Sequence, residues 1–544
     1  MPRHPPAALV KLCRSRFLPP PPLAAGRSTN LPSAPAAGVS SRTSEADRRG
    51  LAAVLVMVVA GNAAGAMVVE IVAGRLLAPY FGMSLYTWTT VIGVVLTGLA
   101  IGHWLGGRLA DAFSTQRATA LGLACLAGGA TTVLILPAVG LVAGSLVVAG
   151  VPLATAVVVT GFVAFLIPSV TAGLVQPIAT TYALEALGAG AGRIVGRMLA
   201  AGVIGAIFGT FLAGFVLIAY LGSAASIWLV AAVNALLAAL LLTRVAYRTA
   251  ALALLALAST LVVTGAAPPG FAVPCDRESR YFCISVFAGD DRHLPEARLL
   301  RLDALTHSAN HPDPAFLAFT HLQWMDELVH RRFGTEPFSA FFIGGGGYTL
   351  PRTWLARNPD NAITVAELDP EVTAIARREL WFEPGPATRI LHTDARLALR
   401  RDLKHERFDV IVGDAFRDIA LPAHLITDEF HELVASRLAA GGFYVLNIID
   451  AAAARRLVGS VVETLRPHFS VIEVWYDSAA YQTADTINFV VYAAHRPTGL
   501  ASPLEARTAP ASRWQRLPPG VLEEVPGAVF LTDDFTPVER LLAR

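Results

Sequence analysis

The stretch Ala340-Phe341-Phe342-Ile343-Gly344-Gly345-Gly346-Gly347 decides how this 544-residue chain is read. Four apolar residues make a short buried strand. A strand that runs straight into glycines lets the backbone come close to a ligand, beside the positive amino-terminal end of the helix that follows. The residues downstream repeat the pattern. Ala362-Ile363-Thr364-Val365-Ala366 is a second buried strand ending at Glu367-Leu368-Asp369-Pro370. An acidic residue about 20 positions past the glycines, at the carboxyl end of the next strand, is placed to accept hydrogen bonds from ribose hydroxyls. A third strand, Thr388 to His392, leads to Thr393-Asp394-Ala395, and a fourth, Phe408 to Val412, leads to Gly413-Asp414-Ala415-Phe416. Each delivers a carboxylate to the edge where open α/β sheets bind ligands, a phase that scattered surface acids would not keep. Asp402 and Asp409, before or at the start of a strand, read instead as solvated or capping residues. With helical periodicity over Phe316 to His330, residues 313–496 read as a Rossmann-like α/β domain.

Upstream, Phe282 to Phe287 and Arg298 to Asp303 alternate like strands and make 271–312 a small β region ahead of the main domain. Further upstream the composition changes. The whole chain is 54% hydrophobic and 15% charged, against roughly 25% charged for an ordinary soluble domain. Between Leu51 and Gly270 only Glu70, Arg75, Arg108, Asp111, Arg117, Glu185, Arg193, Arg197, Arg244 and Arg248 are charged. The apolar runs between them reach the roughly 20 residues a helix needs to cross about 30 Å of hydrocarbon. Residues 51–270 therefore read as a multi-pass α-helical membrane domain of seven spans, near 51–74, 86–107, 118–138, 154–178, 198–220, 223–243 and 249–267. Ala138 to Leu153, apolar but broken by glycines and Pro152, is an eighth crossing, a re-entrant piece or a surface helix.

With seven spans, Arg42, Arg48, Arg49, Arg108, Arg117, Arg193, Arg197, Arg244 and Arg248 fall on one side and Arg75 alone on the other. The positive-inside rule then puts the amino terminus in the cytoplasm and everything after Gly270 outside it. There Cys275 and Cys283 either pair as a disulfide or remain free thiols, alternatives that spacing alone leaves even. Glu70 reads as a carboxylate paired with Arg75, and His103, within Gly102-His103-Trp104-Leu105-Gly106-Gly107, as a neutral packed histidine. Gly202 to Gly209 reads as a helix-packing face. Residues 1–50, rich in Pro, Ser, Ala and Arg, read as a disordered leader, and 497–544 as a tail with a short helix near Pro537 to Leu542. Lys+Arg of 43 against Asp+Glu of 41, with no basic block, argues against a nucleic-acid partner. Four cysteines without CxxC spacing argue against a metal site or a disulfide scaffold.

The set Gly344-Gly345-Gly346, Glu367-Leu368-Asp369, Thr393-Asp394-Ala395 and Asp414 resembles the spermidine/spermine synthase family, the polyamine aminopropyltransferases, over roughly residues 275–495. The stretch Glu70 to Gly82 resembles the membrane domain fused to spermidine synthase-like domains in many bacterial proteins. The resemblance implies a sheet of the S-adenosylmethionine methyltransferase type. It implies decarboxylated S-adenosylmethionine as co-substrate, a small-molecule amine such as putrescine as acceptor, and the bacterial inner membrane as location. By the same resemblance Gly344, Gly345 and Gly346 cradle the thioether end and Glu367 holds the ribose. Asp369 and Ala395 complete the nucleoside site, Asp394 meets the adenine amino group, and Asp414 binds and deprotonates the attacking amine. His307, Asp418 and Tyr481 are further candidates for the amine site.

Several positions depart from the family pattern. Gly347 stands where the family carries an aspartate, Phe319-Thr320 stand where it carries Tyr-Gln, and Arg417 follows Asp414 where a diamine would approach. A methyltransferase on the same scaffold, and a non-catalytic polyamine or nucleoside transporter or sensor, are the competing readings. The oligomeric state is open, a homodimer included.

Overall fold

The computed structural model describes residues 45–188, 190–265, 268–290, 294–417, 420–507, 511–523 and 525–542. Its amino-terminal part contains seven helices long and apolar enough to cross a membrane: Ala46–Phe81, Leu85–Ala112, Arg117–Val148, Leu153–Leu187, Ala191–Tyr220, Gly222–Leu241 and Val245–Thr264. The first helix starts at Glu45, so the last six residues assigned to the leader are helical; residues 1–44 lie outside the described part. The segment from Ala138 is no separate crossing. It prolongs the third span, whose helix breaks at Leu134 and resumes over Ile135–Val148.

Small residues set the helix contacts, as GxxxG-like spacing predicts. A methyl group on Gly102 would collide with the Val170 carbonyl of the fourth span, and one on Gly205 with the Ala60 carbonyl of the first. Two sequence expectations fail here. His103 is exposed, and its neighbour Gly102 makes the close contact instead. Glu70 does not pair with Arg75, because residues five apart on a helix do not share a face. Arg75 turns to the carboxy-terminal domain, and Glu70 Oε2 is buried without a hydrogen-bond partner. The ends of the first and fifth spans meet that domain: Arg75 bonds Ser279, and Arg280 lies over the Tyr220 ring at 5.6 Å. At the opposite end of the bundle Arg117 is paired with Glu185, with Arg244 nearby. The carboxy-terminal domain thus packs at the end of the bundle where the first helix finishes, the arrangement expected of seven spans.

Cys275 and Cys283 form a disulfide that staples the start of a four-stranded antiparallel sheet. Its strands are β1 (Arg277–Glu278), β2 (Cys283–Ala288), β3 (Arg298–Leu302) and β4 (Leu305–Asn310). The following helix runs over Thr320–Phe333, four residues later than its apolar periodicity suggests. Gln323 donates to the Leu317 carbonyl at 2.7 Å and Leu317 is buried, so Phe316 to Phe319 become a fixed loop that delivers side chains to a cleft.

The main sheet contains β5 (Ser339–Ile343), β6 (Ala362–Ala366), β7 (Arg389–Leu391), β8 (Phe408–Gly413), β9 (Leu438–Ala451), β10 (Val471–Asp477), β11 (Thr486–Ala494), β12 (Leu504–Glu505) and β13 (Arg513–Arg516). They lie in the order β12-β13-β10-β11-β9-β8-β5-β6-β7. Strands β7, β6, β5, β8 and β9 are parallel, and β11 runs antiparallel between β9 and β10. The chain leaves β5 toward β6 and returns to β8 on its other side, so the strand order reverses at the β5/β8 boundary. This is the Rossmann-like sheet expected, and such a reversal opens a crevice at the carboxyl ends.

The boundary at residue 496 is not kept. The tail adds β12 and β13 to the sheet edge, buries Trp514 completely against Trp324, and sends Arg507 to Asp326 and Glu327 at 3.1 and 2.7 Å. Its Pro- and Arg-rich composition hides these contacts because single anchors, rather than a periodic face, attach it. The short helix is present at Val538–Leu542. Trp514→Ala should cost about 3–5 kcal/mol, the usual price of emptying a buried tryptophan site. Denaturant unfolding followed by fluorescence tests this, and a change below about 1 kcal/mol would mean that the tail is not part of the core.

Candidate active site

The glycine turn is held from two sides. Gly344 (φ 91°) and Gly346 (φ 50°) adopt left-handed backbone that side chains disfavour, and a Cβ on Gly344 would press on Asp414 and Ala415 of the neighbouring strand end. From the β6 side, Glu367 Oε2 accepts the Gly345 and Gly346 amides at 2.8 and 3.3 Å, and Oε1 accepts the Asp369 amide at 2.9 Å. A carboxylate offers about four acceptor positions, so one remains on Glu367 for an incoming hydroxyl. Burial raises the Glu367 carboxyl above its ordinary value; the three amide bonds oppose this, and the Asp369 charge adds to it.

Asp414 follows β8 at the reversal point and lines a cleft of about 380 Å³ with His307, Ser308, Phe319, His321, Gly344 to Gly347, Asn447 and Asn488. Its Oδ1 accepts the Asn447 amide at 2.9 Å, and Asn447 in turn accepts the Asn488 amide at 2.9 Å. His321 Nε2 stands 3.7 Å from Asp414 Oδ2, an ion-pair distance rather than a hydrogen bond. Burial works against the Asp414 charge, but His321, Asn447 and His307 together hold its carboxyl below the usual value. His307 is pushed down to about 4 by burial, with the Asp414 charge opposing, and its Nε2 is buried without a hydrogen-bond partner.

The remaining predicted residues divide. Asp394 is not part of the cleft lining. Its Oδ1 caps the turn at Leu397 (3.0 Å) and its Oδ2 meets His424 Nε2 at 2.7 Å. Burial opposes the charge on Asp394, yet His424 and the capping amides keep its carboxyl low. Between Glu367 and Asp394, Leu368 is 43% exposed, an apolar platform one strand away from the buried Ala395. Asp369 does not face the cleft: it caps the helix Pro370–Glu379 through the Glu371 amide and accepts the Ser279 hydroxyl at 2.5 Å. Tyr481 is also elsewhere, bonded to Arg455 at 2.7 Å and packed on Tyr476. Asp418 lies outside the described residues. Arg417 sits on an exposed turn and does not line the cleft, whereas Phe416 does.

Sequence reasoning missed His321, Asn447, Asn488 and His424. The one available signal for two of them was a single asparagine within each of two largely apolar runs, 443–449 and 487–494, where a buried amide needs a partner. The structure also accounts for Gly347. A Cβ there would overlap Ser308, so the position that the family pattern fills with aspartate is closed by β4.

No family profile matches the chain. A polyamine aminopropyltransferase of Vibrio vulnificus is 34% identical over 116 residues, covering 21% of this chain and 39% of the relative. A probable polyamine aminopropyl transferase of Bifidobacterium longum is 33% identical over 110 residues, covering 20% of this chain and 24% of the relative. The sequence likeness is to polyamine aminopropyltransferases, as the motif resemblance implies. The chain thus spans less than half the length of the curated relatives it matches. Among solved structures, a probable spermidine synthase from Corynebacterium glutamicum aligns with a TM-score of 0.41 and 20% identity, covering 47% of this chain and 95% of that one.

His307 yields a pH test. Its value falls from about 6.5 in an unfolded chain to about 4 in the fold. The unfolded chain therefore takes up the proton first as acid is added. The stability contribution is complete above about 6.5 and is lost as pH drops toward about 4. His431, pushed down to about 3 by burial, acts in the same sense. Denaturation midpoints measured across this range should fall less steeply for His307→Gln than for the parent protein. Identical slopes would show that His307 does not titrate as a buried group.

Proposed function

We propose that this protein is a membrane-bound aminopropyltransferase that moves the aminopropyl group of decarboxylated S-adenosylmethionine to an amine such as putrescine. One observation carries the reading: a low-pKa carboxylate, Asp414, stands at the sheet reversal beside a glycine turn that Glu367 holds by its amides. In this reading the free acceptor position on Glu367 takes a ribose hydroxyl, Leu368 supports the adenine face, and Asp394 reaches its amino group after His424 yields. The glycine turn receives the thioether end, where its left-handed backbone allows close approach.

The amine nitrogen forms a C–N bond to the methylene carbon attached to the sulfonium. The C–S bond breaks, and its electron pair stays on sulfur in the departing 5′-methylthioadenosine. The amine must shed a proton before or as it attacks. Asp414, kept ionised by His321 and Asn447, is a weak base. It acts by orienting the ammonium and stabilising positive charge on nitrogen as the bond forms. His307, with an unpartnered Nε2 at the cleft, accepts a hydrogen bond from the amine and orients it; pushed down to about 4, it is as weak a base as Asp414, so the proton passes to solvent. In this reading the seven long apolar helices anchor the site in a bilayer, and the arginine pattern supports a position outside the cytoplasm.

That placement, with the disulfide on the same side, favours a second reading in which the domain binds a nucleoside or polyamine without turnover. Purified protein incubated with putrescine and either decarboxylated or intact S-adenosylmethionine distinguishes the two. Aminopropyl transfer should appear with the decarboxylated compound, and Asp414→Asn should lower turnover by about 10²- to 10⁴-fold. Binding without product from either compound supports the second reading, and methylated product would identify a methyltransferase.

A further inference from the structure

The membrane bundle reaches the glycine turn through an unbroken chain of polar contacts. Arg75, near the end of the first span, has a side chain only 9% exposed and donates to the backbone carbonyls of Ser279, at 2.9 Å, and Tyr281. It also faces Glu278 at 3.6 Å. Glu278 in turn accepts the Ser223 amide at 2.8 Å, together with the Ser223 hydroxyl, at the start of the sixth span. A carboxylate there complements the positive helix end. The Cys275–Cys283 disulfide closes this segment, so the carbonyls that Arg75 holds belong to a constrained loop.

The loop continues the chain inward. Ser279 Oγ donates to Asp369 Oδ2 at 2.5 Å and accepts the Phe282 amide at 2.8 Å. The Asp369 amide donates to Glu367 Oε1, and Glu367 Oε2 holds the Gly345 and Gly346 amides. The Arg75 charge also helps to stabilise the Asp369 carboxylate against its burial. Nothing in the aminopropyl-transfer chemistry requires a membrane helix, yet a bundle residue occupies the outer end of the network that shapes the nucleoside turn.

We infer that Arg75 is a positioning residue: through the disulfide-closed loop 275–283, Ser279 and Asp369 it holds Glu367 and the glycine turn in the conformation that receives an adenosyl group. The membrane domain is then part of the nucleoside site and more than an anchor. The consequence for ligand affinity rests on the proposed function; the mechanical coupling does not.

The test uses the full chain in lipid nanodiscs, with Arg75→Ala, Arg75→Lys and Ser279→Ala. Amide hydrogen exchange over residues 344–350 should accelerate about tenfold in Arg75→Ala, a coupling of ordinary size, while exchange in the β8–β9 core stays unchanged. Arg75→Lys, which keeps the charge but loses the forked donor geometry, should fall between. Ser279→Ala cuts the same chain inside the soluble domain, so it remains informative if Arg75→Ala does not fold. Adding Arg75→Ala to Ser279→Ala should accelerate exchange by less than the two single effects combined. The dissociation constant for 5′-methylthioadenosine should rise about tenfold in Arg75→Ala with little change in that for putrescine. Unchanged exchange at the glycine turn in both single variants overturns the inference. Accelerated exchange in a protein that binds no adenosyl compound even as the parent supports the coupling and refutes the proposed function instead.

Discussion

The Glu367 carboxylate is the contact on which the site's shape depends. A turn with left-handed backbone at Gly344 and Gly346 points consecutive N–H groups inward, and unpaired buried amides are costly. Glu367 satisfies two of them from the end of the adjacent strand. The sheet register makes this geometry available, because β5 and β6 run parallel with Ile343 opposite Ala366. One residue beyond the pairing, glycine and glutamate face each other. The same register on the other side brings Asp414, one residue past β8, against Gly344. Strand ends in phase therefore set both the turn and the cleft, and the two carboxylates flanking Gly344 differ in role because their surroundings differ. Glu367, enclosed by backbone, has its carboxyl raised, whereas Asp414, beside imidazole and amide groups, has its carboxyl lowered.

The sheet, the glycine turn, the strand-end acids and the seven apolar helices were readable from sequence because each rests on a local pattern. An apolar run of five marks a buried strand, and about 20 uncharged residues mark a span. What stayed hidden depends on long-range partners. His321 and Asn447 meet Asp414 from residues 93 positions before and 33 positions after it, and no local pattern announces such meetings. Asp369 looked like a ligand residue because it sits in the acidic triplet. Its φ and ψ, and the proline that follows it, make it a helix cap. Tyr481 looked available, yet Arg455 and Tyr476 occupy it. The tail was unreadable for the opposite reason, since it attaches by isolated anchors, Trp514 and Arg507, in a segment whose composition suggests no core.

The departure from the family pattern at Gly347 follows a steric rule. β4 passes so close to the turn that Ser308 fills the space a side chain at Gly347 would need. The same strand carries His307, so losing one acidic position brings a neutral imidazole to the cleft. Charge there is carried by Asp414 among the cleft residues described, with asparagines and histidines around it. The helical bundle contributes at the other end of the turn through Arg75, which joins a long apolar helix and the mixed sheet in one hydrogen-bonded unit.

The central claim is that Glu367 both shapes the turn and receives the nucleoside. Calorimetric titration of 5′-methylthioadenosine into the parent protein and into Glu367→Gln tests it most directly. An amide in place of the carboxylate loses one acceptor oxygen and the charge, so affinity should fall by about 1.4–2.8 kcal/mol, or 10- to 100-fold. Equal affinity in the two proteins would contradict the account.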